Sequence, residues 1–487
     1  MTMKLYESVA DNIREKILCG LYPVGSSLPS IKQLMNEHNV GKNSVISALQ
    51  ILEDKMLIKI FPRKRPVVTG PVWSALTSFK CVDWKKYLDV GKHIMTDIGY
   101  AVPANRDKPS LNISEPKICK DFDNDKIIQK ALNKVSQKLS DPFYSYYDYR
   151  GNPAVRQKVC EKLASYGVFL TPDEVLINSG PREALLIIAR GMLSQGMDLY
   201  FSYPNFIKTH NIFKTVGMNL VPVKSDKYGM LPEELDRTIH KSRKGVLFIN
   251  SVTNWPSDTI MPTTRARDLF SIIEKRRIPA IELDVMREYT LSSLPNPLKS
   301  FDTSGSIVYI YSFPWILYCG LHVSAITGSK PVINRLAGVK LQNDAGSDII
   351  SQIILGELLS DGMFENYMAE KRPQMLKRRD DVNIIMKKYL FDIATWNETT
   401  DGICFWVSFD SRINVNKMNL MDKNIFFSYG NMFDPNDTTH MHICYTGMSL
   451  DAIEFCIANI SAQARIMIDN SVPKNSRSCT RKKHFNI

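Results

Sequence analysis

Over the first seventy positions apolar residues recur with a helical period. Leu5, Val9, Ile13 and Ile17 mark one face of a helix that stops near Gly20. Leu21-Tyr22-Pro23-Val24-Gly25 reads as a turn. Ser30, with Gln33 three residues on, has the form of a capping box and predicts a second helix from Ile31 to Glu37 or so. Gly41 and Asn43 open a third, whose inward face is Val45, Ala48, Leu49 and Leu52. The period then changes. Leu57–Phe61 and Pro66–Thr69 read as two short strands, separated by Pro62-Arg63-Lys64-Arg65.

Three helices followed by a basic hairpin is the plan of a winged helix-turn-helix, which makes residues 1–70 one domain. Residues 71–110 are expected to be a linker. Trp73, Phe79, Trp84 and Tyr87 within it argue against a fully disordered tether. From 111 to 470 helical stretches alternate with short apolar strands: Val175–Asn178, Asp198–Phe201, Gly245–Ile249, Ala280–Asp284 and Ile307–Ile310. Such alternation predicts βα units and an α/β domain with a mostly parallel sheet. The most apolar stretch, Ile307–Ile326, contains Pro314, Gly320 and His322. Two buried strands joined by a loop account for it better than a membrane helix. Residues 471–487 carry five Lys/Arg and no acid, and are expected to be a mobile basic tail.

The 487 residues suffice for two or more domains, and 44% hydrophobic with 23% charged content describes a soluble globular chain. The net charge of +12 points to an anionic partner. Nine cysteines are dispersed, with no CxxC pair and no Cys/His zinc spacing. No metal is expected, and a cytoplasmic location fits the unpaired thiols. Met1–Glu7 has no apolar signal core.

The first seventy residues resemble the GntR family of winged-helix DNA-binding domains. The matching pieces are Leu5-Tyr6, Ile13-Arg14, Ile17-Leu18-Cys19-Gly20, Gly25-Ser26-Ser27-Leu28-Pro29-Ser30-Ile31-Lys32, Val40-Gly41-Lys42-Asn43-Ser44-Val45 and Ala48-Leu49. The segment holds ten Lys/Arg against six Asp/Glu, a net of +4. Lys32 and Lys42 stand at helix starts, where backbone N–H groups also favour phosphate. Asn43 and Ser44 open the third helix, where a recognition helix meets base edges. Ser47 and Gln50 fit its outward face, and Gln can read adenine bidentately. Arg63, Lys64 and Arg65 put the wing's charge along a groove or backbone. A lone lysine is more often a solvated surface charge; here the weight comes from several falling on one unit in the family's order. The family usually has Arg at the positions of Lys32 and Lys42, and a Gly-rich turn where this chain has Pro-Arg-Lys-Arg.

Most of residues 111–465 resembles the aminotransferase-like, fold-type I domain of MocR/GabR-type regulators. Tyr144–Gly151 with Val155-Arg156, Ser179–Leu185, Tyr203–Phe206 and Trp255–Pro262 match its motifs. In the family, the Ser179-Gly180 turn holds the phosphate of pyridoxal phosphate, and an aromatic at Phe206 stacks on the pyridine. The chemical groups themselves are replaced one after another. Trp315, in Ser312-Phe313-Pro314-Trp315, stands where the family's lysine forms the Schiff base, and an indole cannot form an imine. Leu283 replaces the Asp that pairs with the pyridine nitrogen, and Val285 the Tyr at the ring hydroxyl. His322 stands where an Arg reaches the phosphate, and His442 aligns with the Arg that grips a substrate carboxylate. Asp284, next to Leu283, is expected on the opposite face of its strand, and Lys330 on the surface. Leu283 and Trp315 would then fill a vacated pocket with apolar volume.

The resemblance implies a sequence-specific, DNA-binding transcription regulator. It would act on a double-stranded operator as a homodimer, with an unknown small-molecule effector and no membrane association; the departures at Trp315, Leu283, Val285, His322 and His442 imply no covalent cofactor and no catalysis. Two alternatives stay open at this point. One is a regulator that keeps pyridoxal phosphate noncovalently through Ser179, Ser312 and the Phe206 ring. The other is a working pyridoxal-phosphate enzyme carrying a DNA-binding domain.

Overall fold

The structure, a computed structural model, describes residues 5–18, 21–62, 64–69, 111–122, 125–137, 148–206, 212–240, 243–252, 254–257, 260–290, 294–313, 321–344, 346–397 and 402–471. These fall in two compact units, one N-terminal and one C-terminal. The expected linker and basic tail lie outside the described residues, as do Arg63, Tyr144 to Tyr147 and Trp315.

In the N-terminal unit, α1 (Leu5–Leu18), α2 (Ile31–His38) and α3 (Lys42–Asp54) precede the antiparallel pair β1 (Ile58–Lys59) and β2 (Val67–Val68). The capping box is formed. Gln33 N–H donates to Ser30 Oγ at 3.3 Å, and Ser30 N–H donates to Gln33 Oε1 at 2.9 Å, which satisfies two otherwise orphaned donors at the start of α2. Val45, Ala48, Leu49 and Leu52 of α3 are buried together with Val9, Ile13 and Ile17 of α1 and Leu34 of α2. The strands are shorter than the sequence pattern suggests. Ile60 N–H turns to Glu53 Oε1 (2.7 Å), Lys64 N–H closes a turn on Phe61 O (3.2 Å), and Pro66 has no N–H to give.

The C-terminal unit opens with β3 (Leu111–Asn112), α4 (Asp125–Gln137) and α5 (Pro153–Ala164). Then come β4 (Val175–Asn178), α6 (Pro181–Met192), β5 (Asp198–Tyr203), α7 (Ile212–Thr215), β6 (Asn219–Asp226), β7 (Gly229–Met230), α8 (Pro232–Thr238), β8 (Gly245–Ile249), α9 (Thr263–Arg276), β9 (Ala280–Asp284), β10 (Ile307–Ser312), β11 (Ser324–Thr327) and α10 (Lys330–Asn343). The strands make an eight-stranded sheet in the order β4-β11-β10-β9-β8-β5-β6-β7. The run β10-β9-β8-β5-β6 is parallel, while β11 is antiparallel to both its neighbours and β7 to β6. Every residue of β4, β9, β10 and β11 is buried, so this part of the sheet is covered on both faces, as is usual where parallel strands dominate. On one face Leu283, Ile310 and Phe201 pack with α6 and α10; on the other, α5 and α9 cover Tyr309, Tyr311, Ala280 and Leu247.

After α11 (Ile349–Leu358) and α12 (Met363–Leu390) comes a second, smaller layer, in addition to the mostly parallel sheet read from the sequence. It contains β12 (Ala394–Trp396), β13 (Cys404–Phe409), β14 (Ile425–Phe426), β15 (Ser428–Tyr429), β16 (His440–Cys444) and α13 (Leu450–Ser471). The sheet β12-β13-β16-β15 is antiparallel throughout, and β14 pairs with β3 from the start of the unit. Val382 and Met386 of α12 and Ile457 and Ile460 of α13 bury one face of it against Phe405, Val407, Met441 and Ile443.

Candidate functional site

On the N-terminal unit, Asn43, Ile46, Ser47 and Gln50 occupy positions i, i+3, i+4 and i+7 of α3, and all four are exposed; Ser44 is half-buried. Lys32 begins its helix one residue inside the capped end of α2, and Lys42 is the first residue of α3. Lys64 and Arg65 are exposed between β1 and β2. None of Lys32, Lys42, Lys64 and Arg65 meets an acid among the described residues. Acids elsewhere on the unit are committed, Glu37 to Lys16 and Asp11 to Arg14. The expected DNA-contacting residues that are described therefore fall on α2, α3 and the hairpin, and their cations are left uncompensated.

In the C-terminal unit the expected pocket residues gather at the ends of the central strands. Asn178, Ser324 and Ser312 lie in register across β4, β11 and β10. Ser324 Oγ donates to Asn178 Oδ1 (3.0 Å), and Asn178 Nδ2 donates to Gly180 O (2.6 Å). Ser312 is buried, with its hydroxyl on Phe313 O (3.3 Å). Gly180 holds φ at 92°, where a side chain would be strained; a Cβ there would lie 3.6 Å from His322 Nδ1. Ser179, Gly180 and His322 are thus neighbours.

That turn already has a carboxyl group on it. Ser179 N–H donates to the Glu183 side chain, and Pro181 at the first position of α6 has no N–H. Burial pushes Glu183 above the usual carboxyl range, and a hydrogen bond with Asp344 pushes the same way against the opposing Ser179 and Lys340. Lys340, wholly buried, bonds Asp344 at 2.6 Å. Glu183, Asp344 and Lys340 were not singled out from the sequence. The signal for Glu183 was present, since it stands where the family's motif has Gln, and Pro181 where it has Ala.

On β9, Leu283 is buried in the apolar cluster under α6, and Val285 packs beside it. Asp284 turns to the opposite face, where Arg287 Nε donates to it at 2.5 Å and Tyr309 Oη at 3.0 Å. Glu282 lies on that same far face. It accepts from the Leu298 and Lys299 N–H groups at 2.8 and 2.7 Å, and from Ser251; burial raises it to about 7. No carboxylate of β9 reaches the Leu283 face. Lys330 is exposed at the start of α10, 3.4 Å from Asp173.

The remaining residues are aromatic. Phe206 stands edge-on to Phe248 at 5.9 Å. Trp255 stacks on His442, with centroids 4.8 Å apart and planes at 23°. Trp406, opposite His442 in the β13–β16 register, and Phe433 flank the same imidazole at 6.3 and 6.4 Å. Trp255 Nε1 meets no partner among the described residues, and the backbone of Ser114 is the polar group that faces the His442 ring. Complete burial pushes the imidazole down to about 3, so it is neutral near pH 7. Trp406 was not readable from the sequence, because only the strand register brings it to His442. Trp315 lies outside the described residues. Among those described, no group of three metal-ligating side chains is found, and no helix is long and apolar enough to cross a membrane.

A basic helix-turn-helix face on one unit, and a fold-type I aminotransferase architecture with an apolar site on the other, define a DNA-binding transcription regulator with an aminotransferase-like domain. Residues 5–68 match the family described as bacterial regulatory proteins, gntR family. The chain is 26% identical over 457 residues to the HTH-type transcriptional regulator YdfD of Bacillus subtilis, covering 92% of this chain and 94% of that one. It is 23% identical over 397 residues to the HTH-type transcriptional regulator NorG of Staphylococcus aureus, covering 80% and 87%. Its fold is similar to an archaeal alanine:glyoxylate aminotransferase (TM-score 0.72, 18% identity, 79% of this chain and 100% of that one). It is also similar to the kynurenine aminotransferase of Pyrococcus horikoshii (TM-score 0.68, 19% identity, 82% and 97%). Together these matches fit a MocR-type regulator with a GntR helix-turn-helix at its N-terminus.

Proposed function

We propose that this regulator binds a duplex operator through α2, α3 and the hairpin, and that its aminotransferase-like domain has given up covalent pyridoxal phosphate and catalysis. The carrying observation is the Ser179–Glu183 turn, where the chain's own carboxyl group takes the N–H of an anion-binding helix start. A phosphate placed there would compete with Glu183 for the donor and lie beside Asp344. The rest of the site supports the same reading. Leu283 offers no acid to a pyridine nitrogen, and neutral His442 offers no charge to a substrate carboxylate. By sequence, Trp315 offers no amine. These residues do not fit pyridoxal phosphate.

The test is to incubate the protein with excess cofactor, reduce with borohydride and weigh the tryptic peptides. No pyridoxyl adduct is expected. An adduct on a pocket lysine, with amino-acid-dependent spectral turnover, would restore the enzyme reading. The DNA half is tested by deleting residues 1–70, which should abolish operator binding. The homodimer belongs to this proposal as well, because a two-fold pair would present two reading heads to repeated half-sites. Sedimentation showing a monomer at micromolar concentration with undiminished operator affinity would remove it.

A further inference from the structure

The centre of the α3 reading face is apolar. Ile46 sits between Asn43 and Gln50 on that face and is 39% exposed, although the buried face of α3 is already filled by Val45, Ala48, Leu49 and Leu52. The hairpin adds Ile60 and Phe61, each 38% exposed. The three side chains line an open groove of about 570 Å³ between α3 and the hairpin, and Lys32, Lys64 and Arg65 form its rim. Isolated exposed apolar residues need no explanation, but three lining one groove do. The uncompensated cations at the rim suit a polyanion, and they argue against an apolar partner surface that would have to desolvate them.

We propose that this groove takes thymine C5-methyl groups of the operator, with Ile46 a specificity-determining residue of α3. This rests on the DNA-binding reading above and goes beyond it by naming a base. In the major groove thymine alone presents a methyl group, and an apolar side chain is its natural partner. Asn43, Ser47 and Gln50 around Ile46 supply hydrogen-bonding neighbours, so the helix can read a methyl and adjacent base edges together. Lys32, Lys64 and Arg65 neutralise phosphates flanking that base and hold the register.

The experiment first selects duplexes from a randomised pool with the full-length protein, then replaces each thymine of the best duplex by deoxyuridine, which removes only the methyl. One or two positions per half-site should lose about fourfold in affinity, the value of one buried methyl-sized group. Ile46→Ser should bind the thymine and uracil duplexes equally while unfolding at the wild-type temperature, since the side chain is at the surface. Insensitivity of the wild type to uracil at every position, with high affinity retained, overturns the proposal and leaves the DNA-binding reading intact. If Ile46→Ser instead lowers the oligomeric state without changing the thymine preference, the groove holds a second copy of the chain and the proposal is likewise wrong. Failure of the wild type to enrich any duplex over competitor overturns both.

Discussion

Replacing His442 by Phe should remove one specific component of this protein's acid sensitivity. The imidazole is wholly buried against Trp255, and burial lowers it to about 3 from 6.5 in the unfolded chain. Because the folded value is the depressed one, the unfolded chain binds the extra proton. Stability from this group is therefore complete above about pH 6.5 and is lost as the pH falls toward 3. The slope approaches about 1.4 kcal/mol per pH unit, and between pH 7 and pH 5 the loss sums to about 2 kcal/mol. Phe keeps a ring beside Trp255 and carries no titrating group. The assay is urea unfolding of the full chain at pH 7, 6 and 5, following the transition of the C-terminal unit. Wild type should lose about 2 kcal/mol more than His442→Phe over that range. Parallel pH profiles would refute the reasoning. They would mean that the folded protein can protonate His442, and that a cation for a carboxylate is available in the pocket after all.

Further outcomes follow from the same geometry. Lys64→Ala with Arg65→Ala should weaken binding to all duplexes, and the slope of log affinity against log salt should fall by about 0.9 for each phosphate no longer neutralised, measured by fluorescence anisotropy. Asn43→Ala or Ser44→Ala should shift the preferred sequence in a selection experiment rather than the salt slope. Ser30→Ala removes the side-chain half of the α2 cap and should cost about 1 kcal/mol on the unfolding transition of the N-terminal unit, with weaker operator binding in step. Trp315→Lys alone should give no amino-acid-dependent turnover in absorbance, because Leu283 and Val285 still lack the groups the ring requires; turnover in that variant would show that the rest of the pocket is intact.

The N-terminal unit was legible because its information is local. Ser30 and Gln33 are three residues apart, and the α3 core positions follow a single helical period, so capping and burial could be read without tertiary contacts. Strands β4, β8 and β9 of the large sheet were legible for a related reason, as short apolar runs buried on both faces. The antiparallel layer was not. Its ladders join residues brought together only by folding, such as Trp406 with His442, and the parallel pairing of Leu111 with Ile425 beside it is equally non-local. The surroundings of His442 depend on that register, so an alignment could place a histidine there but not foretell a stacked, wholly buried ring. The opposite facing of Leu283 and Asp284 needed only the two-residue repeat of a strand. Arg287 as the partner of Asp284 required the turn that follows β9 to be seen.

The occupied turn at Ser179 has a consequence for the cell that carries this protein. On the proposed function, a regulator that spends this turn on its own Glu183 would keep its occupancy of DNA insulated from swings in coenzyme supply. Such insulation would free the scaffold from metabolic housekeeping, so that the domain could serve as a hinge, a clamp or a sensor of another signal.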